Sequence, residues 1–330
     1  MDPSQSQLLP TENGTPVPQP DADPEVLLYG QALWDILPTG AHLGGAALNV
    51  TWNLHTLGIR ALIMSSVGDD ELGGEVRERL EQAGISTELL QTTVEGYPTG
   101  FAQVTLDELG VPTFSLPEPV AYDDILPGPE AAIALATVKI LYYGSLDSRA
   151  KTSRHTLQWL WNMAPNVVRF CDLNLRAPHY SRQLVTLDLA HADILKINEE
   201  ELLEISRMDL LPGNAADVRS DLPQALRSLG AAHGLRAIFL TRGPAPLLVW
   251  HEKEYPETAE FPVPPPTDPD ANADTIGAGD GFCAGVIQGL VLGWNWEDTI
   301  QQGLRAAAAV CGTTGAQPDA EDFRRRLKIG

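Results

Sequence analysis

The chain has 330 residues, 43% of them hydrophobic and 20% charged, proportions of a folded protein rather than of a disordered or fibrous one. Its 44 Asp and Glu against 22 Lys and Arg leave a formal charge of −22, which argues against a nucleic-acid binder, because that affinity rests on Lys and Arg neutralising phosphates. Any anionic ligand has to be held locally.

This length accommodates one or two domains around a large core. Three cysteines, Cys171, Cys283 and Cys311, lie far apart with no CxxC pair, so a disulfide framework is not expected and a reduced, cytoplasmic setting is. No stretch reaches the roughly 18 uninterrupted apolar residues of a membrane span; the nearest, 281–294, is glycine-rich and reads as a packed core helix. Residues 1–24 lack the basic start and apolar centre of a signal peptide and read as a disordered tail.

From Val26 the chain alternates. Strands are expected at Val26–Tyr29 and Ala61–Val67, and helices over Ala46–Leu57, ended by Gly58, and Leu72–Ala83, stopped by Gly84. Asp69 and Asp70 read as caps of that second helix. The rhythm returns in "VKILYYG", "VVRFCDLNL", "ADILKIN" and, after a helix over Leu222–Leu229, in "RAIFLTRG". Apolar strands separated by amphipathic helices predict an α/β fold, a three-layer α/β/α sandwich with a mostly parallel sheet. One region breaks the rhythm: Thr99–Asp107 and Val111–Leu116 flank the turn "ELG" as a hairpin with no following helix. With "GQALWDILP" it is expected to form a small β-sheet lid, from segments at about 31–43 and 97–118. The Pro-rich acidic stretch Glu252–Asp270 reads as an exposed loop.

Chemistry concentrates in "ADTIGAGDGFCAG", Ala273–Gly285. Gly277, Ala278 and Gly279 let a ligand approach the backbone, ahead of an apolar helix expected over Phe282–Leu292. The free N–H groups and dipole of a helix start make an anion site fit for phosphate. Asp280 would repel that phosphate but is well placed to take a proton from a hydroxyl attacking it, so the pattern implies phosphoryl transfer to an alcohol. Neither a Walker A GK[ST], nor the HRD and DFG of protein kinases, nor a properly spaced GxGxxG occurs. Read without other information, the same glycines also suit tight packing with Asp280 as a cap.

"DTIGAGDGF" resembles the C-terminal signature of the ribokinase-like (phosphofructokinase B) sugar kinases, and the resemblance runs from about Val26 to the C-terminus. "LGGAALNVTWNLHTLG", "VGDDELG", "DLNLRAPHY" and "LKINEEEL" are similar to its companion elements, and "GQALWDILP", "LGGAALN" and "DLNLR" look most like bacterial and plant fructokinases. The resemblance implies ATP and Mg²⁺ as cofactors, with K⁺ as a further candidate, and an ATP-dependent kinase acting on a small sugar, with fructose first and ribose, 2-keto-3-deoxygluconate, a sugar phosphate or a nucleoside as alternatives. A catalytically silent regulatory relative is the alternative of another class. It makes Asp280 the catalytic base, Gly277, Ala278 and Gly279 the anion hole and Arg176 a phosphate contact. Asp35, Gly44, Gly45 and Asn49 match sugar-binding positions, and Asn198, Thr241, Gly243, Gly277 and Gly279 match ATP-binding ones. Asn198 and Glu201 match an NxxE element that organises water-bound Mg²⁺, in keeping with the few direct protein ligands this ion takes. A homodimer through the lid is also implied.

This sequence departs from the family pattern in places. Pro244 and Pro246 remove two N–H donors from the nucleotide-side loop. Gln31 stands where Glu is commoner, Gly281 follows the base where Ala is common, and Asn272 and Ala273 are unusual ahead of Asp274. No Lys or Arg lies between Asp35 and Asn49, which favours a neutral acceptor.

Overall fold

The computed structural model describes residues 23–37, 40–106, 112–213, 215–270 and 273–327. In chain order the strands and helices are β1 (Val26–Tyr29), β2 (Leu33–Leu37), β3 (Gly40–Gly44), α1 (Ala46–Thr56), β4 (Ala61–Val67), α2 (Glu71–Gln82), β5 (Leu90–Thr92), β6 (Gly100–Leu106), β7 (Pro112–Ser115), α3 (Pro129–Ala134), β8 (Ile140–Gly144), α4 (Lys151–Met163), β9 (Val168–Asp172), α5 (Arg182–His191), β10 (Ile194–Asn198), α6 (Glu199–Arg207), α7 (Ala215–Ser220), α8 (Leu222–His233), β11 (Ala237–Thr241), β12 (Leu247–His251), β13 (Tyr255–Phe261), α9 (Ala278–Val291), α10 (Trp296–Val310) and α11 (Ala320–Leu327). Nine strands form one sheet in the order β13-β12-β11-β10-β9-β8-β1-β4-β5. All neighbours from β11 to β5 are parallel, and β12 and β13 are antiparallel at one edge.

Period-2 alternation divides the strands between two cores. Leu27 and Tyr29 of β1 join one apolar cluster with Leu157, Leu189 and Leu226 from α4, α5 and α8. Val26 and Leu28 join the other, with Val50, Phe282 and Ile300 from α1, α9 and α10. Helices therefore cover both faces, which is why these strands read as continuous apolar runs rather than alternating ones. Strand order reverses at β1, between β4 and β8, and in open α/β sheets a crevice forms beyond the strand C-termini at such a point.

A second sheet, β3-β2-β6-β7, stands apart. It is mixed: β2 runs antiparallel to β3 and parallel to β6, and β6 pairs antiparallel with β7. On β2, Trp34 is buried, donates from Nε1 to the Leu72 carbonyl at 3.1 Å and lies under the Arg79 guanidinium, which fastens this sheet to α2. Leu33 and Asp35, on the opposite face, point toward the crevice.

Three expectations need correction. The segment Glu252–Asp270 is not all loop, because Tyr255–Phe261 is the edge strand β13; Pro256 is tolerated there, since an edge strand has one side free of ladder bonds. The apolar helix starts at Ala278 rather than at Phe282, so Asp280 lies inside its first turn. Gly277, left-handed at φ 77°, is its N-cap. The helix expected over Leu222–Leu229 continues to His233 and ends on left-handed Gly234. Of the tail expected over residues 1–24, residues 1–22 lie outside the described residues, as does Asn272. Asp70 caps α2, its carboxylate accepting from Gly73 N–H at 2.8 Å.

Candidate active site

A cavity of ≈ 410 Å³ opens where the strand ends, the small sheet and the start of α9 meet. Gly144 ends β8, Asp172 ends β9 and Asn198 ends β10, which puts three adjacent parallel strands on its floor. Asp35 and Ala102 come from the small sheet, Gly45 and Asn49 from the start of α1, and Gly277, Gly279 and Asp280 from α9; Arg176 completes the rim.

At the start of α9, Gly277 N-caps without a side chain, and a β-carbon built there would lie 2.3 Å from that of Ala316. The Ala278 N–H donates to the Thr275 carbonyl at 3.2 Å and Gly281 N–H to Gly277 O at 2.8 Å. Of the three small residues expected to form an anion hole, only Ala278 has its N–H engaged: among the described residues, the N–H groups of Gly277, Gly279 and Asp280 have no acceptor. They carry the positive end of the helix dipole into the cavity.

Asp280 accepts from Asn49 Nδ2 at 2.8 Å, and Asn49 Oδ1 accepts from Gln317 Nε2 at 2.8 Å. Gln317 thereby fixes which end of the Asn49 amide meets the carboxylate. Burial, reinforced by the negative charge of Asp172, pushes the Asp280 carboxyl up to about 7, against the pull of the Asn49 hydrogen bond, Lys196 and Arg176. A carboxyl tuned near neutrality suits a general base.

Behind it lies a pair on which no motif reading had placed a role. Lys196 Nζ donates to Asp172 Oδ1 at 2.9 Å, with side-chain exposures of 9% and 1%. The other Asp172 oxygen meets the Tyr142 hydroxyl at 3.3 Å and the Cys283 thiol at 3.6 Å. Burial alone would push the Lys196 ammonium down, but Asp172, Cys283 and Glu201 hold it above the ordinary lysine value. A lone lysine inside the apolar run "ADILKIN" was the available signal, since Lys is almost never fully buried unpaired.

On the acceptor side, burial raises Asp35 to about 6, opposed by His42 and Arg176. Gly44 does not line the cavity, yet it makes room for Asp35: a β-carbon there would lie 2.2 Å from Oδ2. Asp147 is the second unforeseen carboxyl. It accepts from Gly144 N–H at 2.6 Å and from Gln31 Nε2, and burial pushes it up to about 8. Gln31 thus meets an acid held protonated at neutral pH, where a glutamate would bring a second one. Left-handed Gly30, at φ 144°, has space for this, as its β-carbon would strike the Asp147 carboxyl. The segment around Asp35 has no Lys or Arg, but the fold brings Arg176 near Asp35 in addition to His42 of that segment.

Besides Gly44, the expected residues Ala278, Thr241, Gly243 and Glu201 lie outside the lining. Thr241 pairs with Asn198 in the sheet and donates to the Ile197 carbonyl at 3.3 Å. Gly243, left-handed at φ 57°, opens the β11–β12 turn that also contains Pro244 and Pro246. Glu201 is 5% exposed; its two oxygens accept from Leu175 N–H at 2.9 Å and Asn198 N–H at 2.8 Å, while Asn198 Oδ1 accepts from Glu201 N–H at 2.8 Å. This capping box ties Glu201 to backbone. No cluster of three metal-ligating side chains occurs among the described residues. Cys171, expected in the core, is fully buried.

A strand-end crevice roofed by a separate sheet, with a carboxylate at a helix N-terminus, suits phosphoryl transfer to an alcohol. The sequence profile described as pfkB family carbohydrate kinase matches residues 38–322, and the chain belongs to that family of sugar kinases. A fructokinase of Klebsiella pneumoniae is 29% identical over 281 residues, 81% of this chain and 84% of that protein. An ATP-dependent 6-phosphofructokinase of Thermoanaerobacterium thermosaccharolyticum is 26% identical over 321 residues, 91% of each. Among solved structures, fructokinase with bound ATP from Xylella fastidiosa superposes with a TM-score of 0.72 at 20% identity, covering 92% of this chain and 98% of that one. The likeness extends to aminoimidazole riboside kinase from Salmonella enterica, with a TM-score of 0.70 at 20% identity over 92% and 99%. These establish the ribokinase-like fold.

Proposed function

We propose that this kinase uses ATP to phosphorylate fructose, with Asp280 as its base. The observation that carries the reading is Asp280 in the first turn of α9, beside unpaired N–H groups and across one cavity from Asp35 and Asp147. In it, the sugar hydroxyl oxygen attacks the γ-phosphorus, the bond from that phosphorus to the β-bridging oxygen breaks, and the hydroxyl proton passes to Asp280. The Gly279 and Asp280 N–H groups receive the oxygens of the transferred group, and Arg176 meets phosphate at the rim. Asp35 and protonated Asp147 bind sugar hydroxyls, one as acceptor and the other as donor. Asn198, ordered from behind by Glu201, would hold through water a magnesium ion accompanying the nucleotide, and that ion would neutralise phosphate charge. Thr241 and Gly243 lie further along the same sheet edge, toward the adenosine. The small sheet serves as lid, excluding water.

Fructose is favoured by the fructokinases among the relatives and by the carboxyl-rich acceptor side, which suits a neutral polyol. A sugar-phosphate acceptor is the second reading, supported by the 6-phosphofructokinase relative and by Arg176 within Coulomb reach of Asp35. A coupled ADP-release assay with Mg-ATP and K⁺ against fructose, fructose 6-phosphate, ribose, 2-keto-3-deoxygluconate and adenosine separates them. Turnover with fructose above all others is the expected result; preference for fructose 6-phosphate transfers the assignment, and silence across the panel removes it.

A further inference from the structure

Lys196 is an ammonium in the middle of an apolar strand, where its register partner on β9 is the buried carboxylate Asp172. Burying an ammonium costs several kcal/mol unless it is paired, and here the pair is buried on both sides, with Asp172 as the partner. The ammonium does not sit among apolar neighbours alone. A β-carbon built on Gly279 would lie 3.0 Å from Nζ, so the charge abuts the first turn of α9, and Lys196 lines the same cavity as Gly277, Gly279 and Asp280. Of its three N–H donors, one is engaged among the described residues, by Asp172 Oδ1 at 2.9 Å. Two remain for a ligand.

We propose that Lys196 is a catalytic cation of the phosphoryl-transfer site, contacting the transferred group beside the N–H groups of α9, and that Asp172 positions it. The inference deepens the reading of Asp280 as base and rests on it. As the hydroxyl oxygen bonds to the γ-phosphorus and the bond to the bridging oxygen breaks, the electron pair of that bond leaves with ADP and the hydroxyl proton goes to Asp280. Lys196 keeps its proton throughout. It supplies a full positive charge where the helix dipole supplies about half of one, in a site whose burial magnifies both. Gly279 follows from this arrangement: any larger residue would press on the ammonium.

The competing explanation is that Lys196 merely neutralises Asp172, its register partner on β9. Three variants separate the two: Lys196→Met, Asp172→Asn, and the charge-neutral double variant, each checked for folding by circular dichroism. Lys196→Met is expected to lower kcat at least ~10²-fold, with the sugar KM within about 3-fold. The double variant is expected to stay as slow as Lys196→Met. Recovery of near wild-type kcat in the double variant would overturn the proposal, because it would show that only pair neutrality mattered. Should Lys196→Met fail to fold, the double variant carries the comparison. Binding provides a second readout, using ADP with orthovanadate in magnesium buffer containing the sugar. Vanadate is expected to tighten ADP binding at least ~10²-fold in the wild type, and neither Lys196 variant should respond to it, with ADP alone bound equally by all. Tightening retained in the double variant would overturn the proposal. If the wild type turns over none of the sugars yet responds to vanadate, the acceptor assignment falls while Lys196 is still tested.

Discussion

Asp280 is held between opposing influences: burial and Asp172 favour its protonated form, while Asn49, Lys196 and Arg176 favour the carboxylate. As a base it must be ionised, so kcat/KM is expected to fall as pH drops through about 7, which a pH profile with saturating ATP reads directly. Asn49→Ala removes a hydrogen bond that favours the carboxylate, so the acid limb should move to higher pH, whatever the variant does to sugar binding. A limb left in place would mean that another group governs it. Asp280→Asn keeps the shape and removes the base; kcat should fall at least ~10²-fold with ATP affinity, measured by calorimetry, nearly unchanged.

Helix α9 carries the proposed base, and its own position depends on glycines that approach α10. A β-carbon on Gly281 would lie 2.7 Å from Val310 Cγ2, one on Gly285 2.6 Å from the Gln302 carbonyl oxygen, and one on Gly289 2.6 Å from Thr299 Oγ1. Spaced four apart, these residues form one stripe of the helix, along which the two backbones close in. The commoner alanine at position 281 would therefore require Val310 to shift. Gly285→Val inserts a branched side chain against backbone, where relaxation is hardest, and should destabilise by about 1–3 kcal/mol. A denaturant midpoint equal to wild type would show the contact to be loose.

Across the whole molecule, the site's carboxyls link stability to pH. Asp147 and Asp280 are pushed up to about 8 and about 7 by burial, well above ordinary carboxylate values, so the folded protein binds more protons than the unfolded chain at neutral pH. Stability then decreases as pH rises through that range. The melting temperature is expected to fall between pH 6.5 and 8, and Asp147→Asn should lessen the fall. The net charge of −22 adds self-repulsion in the same direction, and moderate salt should reduce that part by screening. A melting temperature that climbs over this pH range would contradict the assignment of Asp147 as a buried acid.

Apolar runs broken by glycine and capped helices carried the alternating β/α order, because burial on both faces writes itself into local composition. The motif at Asp280 was legible for a similar reason: its small residues and carboxylate are neighbours in sequence, although the same glycines also suit tight packing. Where α9 begins and which N–H groups stay free depended on the crossing with α10, and strand β13 depended on a sheet edge waiting for it. Asp147, Gln317 and the Asp172–Lys196 pair stayed unread because each acquires its role from a partner 24 to 268 residues away in sequence. The sequence by itself determined the fold class and pointed to Asp280 as the proposed base, since both are patterns of neighbouring residues. Only the tertiary structure decided the charge and proton affinity of the cavity, because electrostatics acts through space between chain segments that no local pattern connects.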